Sequence, residues 1–136
     1  LKLPASPYQA ALDENIKINY PKLIRSLKEK IKQFDISIIE LAGGLMVPLT
    51  AQKMNLDLVR DLKLPVELIS ANRLGTLNHT LLSVEILRKY KVKIDQIYLN
   101  QLSPRNDRIS KTNLDQIKKF TKSIGIKNIS YRAKKI

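Results

Sequence analysis

Three short apolar runs, separated by stretches with helical spacing, constrain this chain more than any other feature. They lie at residues 36–39 (ISII), 66–70 (VELIS) and 92–99 (VKIDQIYL). Runs of β-branched and large apolar residues bounded by Gly, Pro or Asn read as buried strands. Between them, Leu56, Val59 and Leu62 recur at i, i+3 and i+6 of a short helix over 55–62, which Pro65 cannot continue. A longer helix over 76–90 carries Leu77, Leu81, Val84 and Leu87 on one side, or Leu82, Ile86 and Tyr90 on another. Upstream, Ser6-Pro7 has the form of an N-cap followed by proline at the first helical position. A second helix over 21–34 points Leu23, Ile24, Leu27, Ile31 and Phe34 inward and reads as a crossover covering the sheet. Downstream, 111–123 is amphipathic through Leu114, Ile117, Phe120 and Thr121, and 126–131 reads as an edge strand. Strands alternating with helices in right-handed crossovers make parallel βαβ units. The expectation is one α/β domain over 1–136, a three-layer sandwich with a mainly parallel sheet and helices on both faces.

A chain of 136 residues with 43% hydrophobic content can bury a real core. No apolar run approaches the length needed to span a bilayer, and the opening LKLPASPYQA has neither the basic nor the apolar segment of a signal peptide. The absence of cysteine excludes a disulfide framework, a thiolate metal site and a cysteine nucleophile. A cytoplasmic protein is the expectation. The net charge of +13 raises the prospect of an anionic partner. The basic residues are nevertheless dispersed over several elements, and aromatics are only 5%. Nucleic-acid modules concentrate charge and interleave it with aromatic rings, so this pattern argues against nucleic-acid binding as the role.

Ligands of open α/β sheets bind at the C-terminal edge of the strands. Three loops are expected there, at 40–44, 71–78 and 100–106. Glu40 ends the first apolar run and is followed by Leu41, Ala42, Gly43 and Gly44. It is either a solvated loop carboxylate or a hard oxygen ligand for Mg²⁺, with the Gly pair opening space for a phosphate or substrate. The second loop leads through Arg73 and Gly75 into a helix. Either Thr76 or Asn78 merely caps that helix, or the free N–H groups of Gly75, Thr76, Leu77 and Asn78 face a carboxylate or phosphate. Asn100 has an amide that donates and accepts at once, which suits the edge of a base such as adenine; the other reading is a turn-forming Asn. His79 is the only histidine, and no Ser or carboxylate stands at a triad spacing to it.

Five stretches, in order, resemble the dethiobiotin synthetase family of the P-loop NTPase class. SPYQAA (6–11) is similar to the family's SPH-x-AA, and ELAGGLMVPLT (40–50) is similar to EGAGG-x-x-x-PL. DLVRDLKLPVELIS (57–70), NRLGTLNHTLLSVEIL (72–87, similar to x-LG-x-INH-x-LLT) and IYLNQL (97–102) follow. The resemblance implies a P-loop NTPase-like fold and ATP-dependent closure of a ureido ring. 7,8-diaminononanoate takes up CO₂ as a carbamate, ATP phosphorylates it, and the neighbouring amine displaces phosphate. It implies Glu40 as the Mg²⁺ ligand and catalytic carboxylate, with Gly43 and Gly44 beside the nucleotide. It implies Gly75, Thr76, Leu77 and Asn78 as the substrate-carboxylate site, offered across a homodimer interface, and Asn100 as the adenine contact.

The departures from the pattern are specific. Leu41 stands where the family has Gly, Tyr8 where it has His, and the residues after Asn100 do not match its proline-containing adenine loop. Nothing in the chain reads G-x-x-x-x-G-K-[ST], the loop whose amides and lysine hold phosphates. The expectation is therefore the later half of such a fold, as a fragment, a subunit needing a P-loop-bearing partner, or a degenerate homologue acting as a binding or assembly subunit. On its own such a chain is expected to be inactive.

Overall fold

The computed structural model describes residues 1–104 and 108–132, with the backbone alone over 108–110. The chain forms two compact units, residues 1–63 and 64–136.

The first unit contains α1 (Pro7–Asp13), α2 (Tyr20–Ile31) and α3 (Asn55–Leu62). Ser6 Oγ accepts from the Gln9 N–H at 3.2 Å and Asn19 Oδ1 from the Lys22 N–H at 3.0 Å. Each oxygen satisfies a donor that the start of a helix leaves without an intrahelical partner. Ala10, Ala11, Leu49, Leu56 and Leu58 are buried. Between α2 and α3 the chain has no regular structure and is held by polar contacts. Asn55, 1% exposed, donates its side-chain Nδ2 to the carbonyls of Ala42 at 3.0 Å and Gly44 at 3.1 Å. The Asn55 N–H donates to the Val47 carbonyl at 3.0 Å and the Leu56 N–H to that of Leu45 at 2.8 Å. One buried amide thus shapes the whole glycine turn.

Two expectations fail in this unit. Residues 36–39 are not a strand, and Ile36 and Ile38 are 83% and 92% exposed. An extended run becomes a strand only when a neighbour takes its N–H and C=O groups, and among the described residues none does. The helix over 21–34 ends earlier, at Ile31, and Phe34 is 66% exposed. Its half-buried side packs against α3 within this unit, and no residue of α2 is fully buried.

That packing is pinned by charge. Tyr20 Oη donates to Asp61 Oδ2 at 2.8 Å, Arg60 Nε donates to Asp61 Oδ1 at 3.1 Å, and Arg60 also reaches Asp57 at 3.1 Å. Lys53 stands 5.3 Å from the Tyr20 ring centre. Burial, followed by the hydrogen bond to Asp61 and its negative charge, raises the Tyr20 pKa well above that of a free phenol. Burial pushes the Asp61 carboxyl upward, but the hydrogen bonds from Tyr20 and Arg60 and the charges of Arg60 and Lys53 outweigh it, leaving its pKa lowered.

The second unit contains β1 (Val66–Ala71), α4 (Thr76–Lys89), β2 (Ile94–Asn100), α5 (Arg108–Thr121) and β3 (Gly125–Ile129). The strands form a parallel sheet in the order β1-β2-β3. Val84 of α4 and Ile117 of α5 pack with Ile97 and Leu99 of β2 in the core, joined by Leu68, Leu77, Leu114 and Ile126. Of the two apolar stripes on α4, the first sends Leu77 and Val84 into this core and buries Leu87, while Leu82 and Tyr90 of the second are 57% and 41% exposed. Ile94 and Ile97, an odd number of residues apart, both reach the core because the pairing with β1 shifts register between Val66 and Glu67. The parallel α/β architecture is as expected. In this unit both crossover helices cover one face, because right-handed crossovers between sequentially adjacent strands return on the same side. Among the described residues β1 pairs only with β2, so its outer edge is open.

Two outcomes follow for the first unit. Asn55→Ala is expected to lower its stability by about 1–3 kcal/mol, read as a lower urea midpoint, since two carbonyls lose a buried donor. Tyr20→Phe is expected to cost about 1 kcal/mol near neutral pH. A lowered carboxylate pKa gives stability that is present above the unfolded value of 3.8 and lost as pH falls through the folded value. A raised phenol pKa gives stability that is present below 10.0 and lost as pH rises beyond it. The difference in thermal midpoint between wild type and Tyr20→Phe should hold between those limits and shrink outside them; a pH-independent difference would contradict this.

Candidate functional site

The register of the second unit sets Ala71 beside Asn100 at the C-terminal edge of the sheet. Both strands end there, and the loops that leave them are tied together. The Asn72 N–H donates to the Asn100 carbonyl at 2.7 Å, and Asn72 Nδ2 donates to Gln101 Oε1 at 2.9 Å. The Gln101 N–H donates to the Ile129 carbonyl at 2.9 Å, so β3 joins the same edge. Asn100 is half-buried. The loops at 71–78 and after Asn100 therefore meet as expected; the part of the 100–106 loop beyond Pro104 lies outside the described residues.

Arg73, Leu74 and Gly75 turn the chain into α4. Gly75 has φ of +88°, a left-handed conformation that a side chain disfavours, and no side chain caps the helix it starts. The Thr76 N–H is not free for a ligand, because it donates to the Arg73 carbonyl at 3.1 Å. The Thr76 side chain is buried and Leu77 packs on the core, so any contact from Leu77 to a ligand is through its backbone. Leu77 and Asn78 remain within the first turn, where N–H groups have no intrahelical acceptor and the helix dipole favours an anion by about 0.3–1 kcal/mol.

Beneath that turn runs a chain of hydroxyls. Thr80 Oγ1 donates to Ser70 Oγ at 2.8 Å and stands 3.5 Å from Thr76 Oγ1. Thr76 and Thr80 are 3% and 2% exposed. These three residues line a cavity of about 180 Å³ along β1, with His79 and Ser83 also in its wall. His79 is exposed, and its carbonyl accepts the Ser83 hydroxyl at 2.9 Å.

Glu40 lies in the first unit and ends an unpaired extended run rather than a strand of the sheet. It is exposed, and among the described residues it has no ion-pair partner. Gly43 has φ of +81°, and a Cβ there would stand 2.9 Å from Val47 Cγ2, so this position requires glycine twice over. A Cβ at Gly44 would meet nothing within 4 Å, which leaves open space on that side of the turn. Among the described residues no three His, Asp or Glu side chains gather as a cation site. Mg²⁺ commonly keeps several waters and takes one or two carboxylates plus substrate phosphates. An exposed, unpaired Glu40 beside an open glycine turn fits such a partial donor set.

Several polar residues here were not singled out in the sequence. Asn72 and Gln101 each directly follow a strand, the same position that drew attention to Asn100. Asn113 precedes the buried Ile117 by one helical turn, so the period already put an amide on the inward face of α5. Asn55 carried no comparable signal.

A family described as AAA domain, one of the P-loop NTPase families, matches residues 1–131. The ATP-dependent dethiobiotin synthetase BioD of Thermodesulfovibrio yellowstonii is 35% identical over 128 residues, covering 88% of this chain and 53% of that protein. The same-named protein of Chlorobaculum tepidum is 36% identical over 124 residues, covering 91% and 52%. That of Halalkalibacterium halodurans is 37% identical over 122 residues, covering 89% and 50%. The chain spans about half the length of these curated relatives. With a parallel α/β sheet and a family match over nearly all of its residues, the chain belongs to this AAA-domain family of P-loop NTPases.

Proposed function

We propose that this chain supplies the later part of a dethiobiotin synthetase site: ATP- and Mg²⁺-dependent carboxylation of 7,8-diaminononanoate with CO₂ and closure of the ureido ring. The observation that carries this reading is the extent of similarity to three proteins named for that activity, 35–37% identity along 88% or more of the chain. The geometry supports it, because Asn100, which matches the family's base contact, is bonded at 2.7 Å to the N–H of Asn72 in the short loop that leads into the matched carboxylate site at the α4 start.

In this reading ATP supplies the phosphoryl group and Mg²⁺ neutralises its charge. The protein's task in such chemistry is positioning and electrostatic support rather than covalent participation. Glu40 offers its unpaired carboxylate to the metal, and Gly43 and Gly44 admit the phosphates close to the backbone. Gly75 and the first turn of α4 through Thr76, Leu77 and Asn78 orient the substrate carboxylate by their partial positive charge, with Leu77 and Asn78 as the donors. The amide of Asn100 reads the adenine edge. We further propose that the enzyme is a cytoplasmic homodimer, and that the chain works with a P-loop-bearing sequence, in the same polypeptide or a partner subunit. A P-loop follows a strand and precedes a helix. The open edge of β1, with Ile69 59% exposed beside it, suits pairing with that strand.

A second reading, favoured by the lack of a G-x-x-x-x-G-K-[ST] motif in these residues, is a binding or assembly subunit without nucleotide hydrolysis. The test is product formation. The isolated chain given 7,8-diaminononanoate, bicarbonate and MgATP is expected to make no dethiobiotin, and the chain assembled with a P-loop-bearing half is expected to make it. Glu40→Gln in that assembly should lower turnover about 100-fold or more, because metal-assisted charge stabilisation supplies several kcal/mol. Unchanged turnover would remove Glu40 from the site, and product from the isolated chain would contradict the need for a P-loop partner.

A further inference from the structure

One buried amide outside the residues assigned so far is bonded to the loop between the two ends of the site. Asn113 on α5 is 3% exposed, one helical turn ahead of the core residue Ile117. Its Nδ2 donates to Asn72 Oδ1 at 2.8 Å and lies 3.5 Å from the Arg73 carbonyl oxygen, the outer limit of a hydrogen bond. Asn72 is in turn bound through its backbone N–H to Asn100 and through its Nδ2 to Gln101. The Arg73 carbonyl also accepts the N–H of Thr76, the first residue of α4. The loop at 72–75 is therefore fastened to the end of β2 on one side and to α5 on the other, immediately before the helix start.

Packing alone gives no reason for asparagine here. A leucine, branched at the same carbon, would extend the apolar face formed by Leu114 and Ile117 and would favour the helix more. A buried amide is tolerated because its hydrogen bonds are made, and in this case they are made to the loop. We infer that Asn113 is a positioning residue: it holds Asn72 and Arg73 so that a base at Asn100 and an anion at the α4 start are fixed relative to each other. The inference rests on the roles proposed above for Asn100 and for residues 75–78. The ligands it serves are an adenine nucleotide at Asn100 and the substrate carboxylate at the α4 start, and the coupling is carried through the loop at 72–75.

Amide hydrogen exchange on the 136-residue chain, read residue by residue, tests this in two arms. In the first, Asn113→Leu removes the donor with the same branching of the side chain and Asn113→Gln keeps it. Exchange at Asn72 and Thr76 is expected to rise about tenfold in the Leu variant, with Val84 and Leu87 unchanged, and to return toward wild type in the Gln variant. Unchanged exchange at Asn72 and Thr76, or a uniform rise across the unit, overturns the clamp. Should the Leu variant fail to fold, Asn72→Ala removes the same bond from the loop side, and unchanged exchange at Thr76 there also overturns it. In the second arm, ADP is added to the chain assembled with a P-loop-bearing half. Protection of Asn100, Asn72 and Thr76 together in wild type, and of Asn100 alone in Asn113→Leu, supports coupling; protection of Asn100 alone in wild type overturns it. No protection anywhere in wild type counts against the nucleotide role of Asn100, and the first arm then decides the clamp by itself.

Discussion

Burial of Ile97 and Leu99 of β2 beneath Val84 and Ile117 is the contact on which the second unit depends. It aligns three parallel strands so that Ala71 and Asn100 finish side by side, and it draws α4 and α5 onto one face. The polar edge follows from that alignment. Only with the strand ends in register can the Asn72 N–H reach the Asn100 carbonyl and the Gln101 N–H reach Ile129. The hydroxyls of Ser70, Thr76 and Thr80 then satisfy one another in the narrow space between β1 and α4, where an unpartnered hydroxyl would be costly.

The first unit is organised differently. Its buried apolar residues are few, and the long segment between α2 and α3 is shaped by Asn55 and by the left-handed Gly43. The Tyr20, Asp61 and Arg60 group sets α2 against α3 through directional bonds. Such contacts hold a turn in one shape without a ladder of strand hydrogen bonds. They leave Glu40 exposed at the end of an extended run, with no ion-pair partner among the described residues.

Much of this was legible in the residues. The bounds of α3 agree with the apolar spacing of Leu56, Val59 and Leu62, because a proline closes the pattern. The two strands at 66–70 and 92–99 were legible from their apolar runs, although the register shift that turns Ile94 inward was not. Residues 36–39 have strand composition and no strand, since composition records the preference of a segment and not the presence of its neighbour. The amide pair of Asn72 and Asn113 lies 41 residues apart, and nothing local to either residue announces the other. Glu40, Gly75 and Asn100 drew attention as candidates because each stands at the end of an apolar run or the start of a helix, positions that sequence marks directly.

The central claim is that these residues work together with a P-loop-bearing sequence. It is tested most directly by the mass of the species that carries them in their native cell, compared with 15.6 kDa for this chain. The account predicts a heavier polypeptide, or a complex, that contains a G-x-x-x-x-G-K-[ST] sequence. A lone species of 15.6 kDa that co-purifies with no such sequence would contradict it.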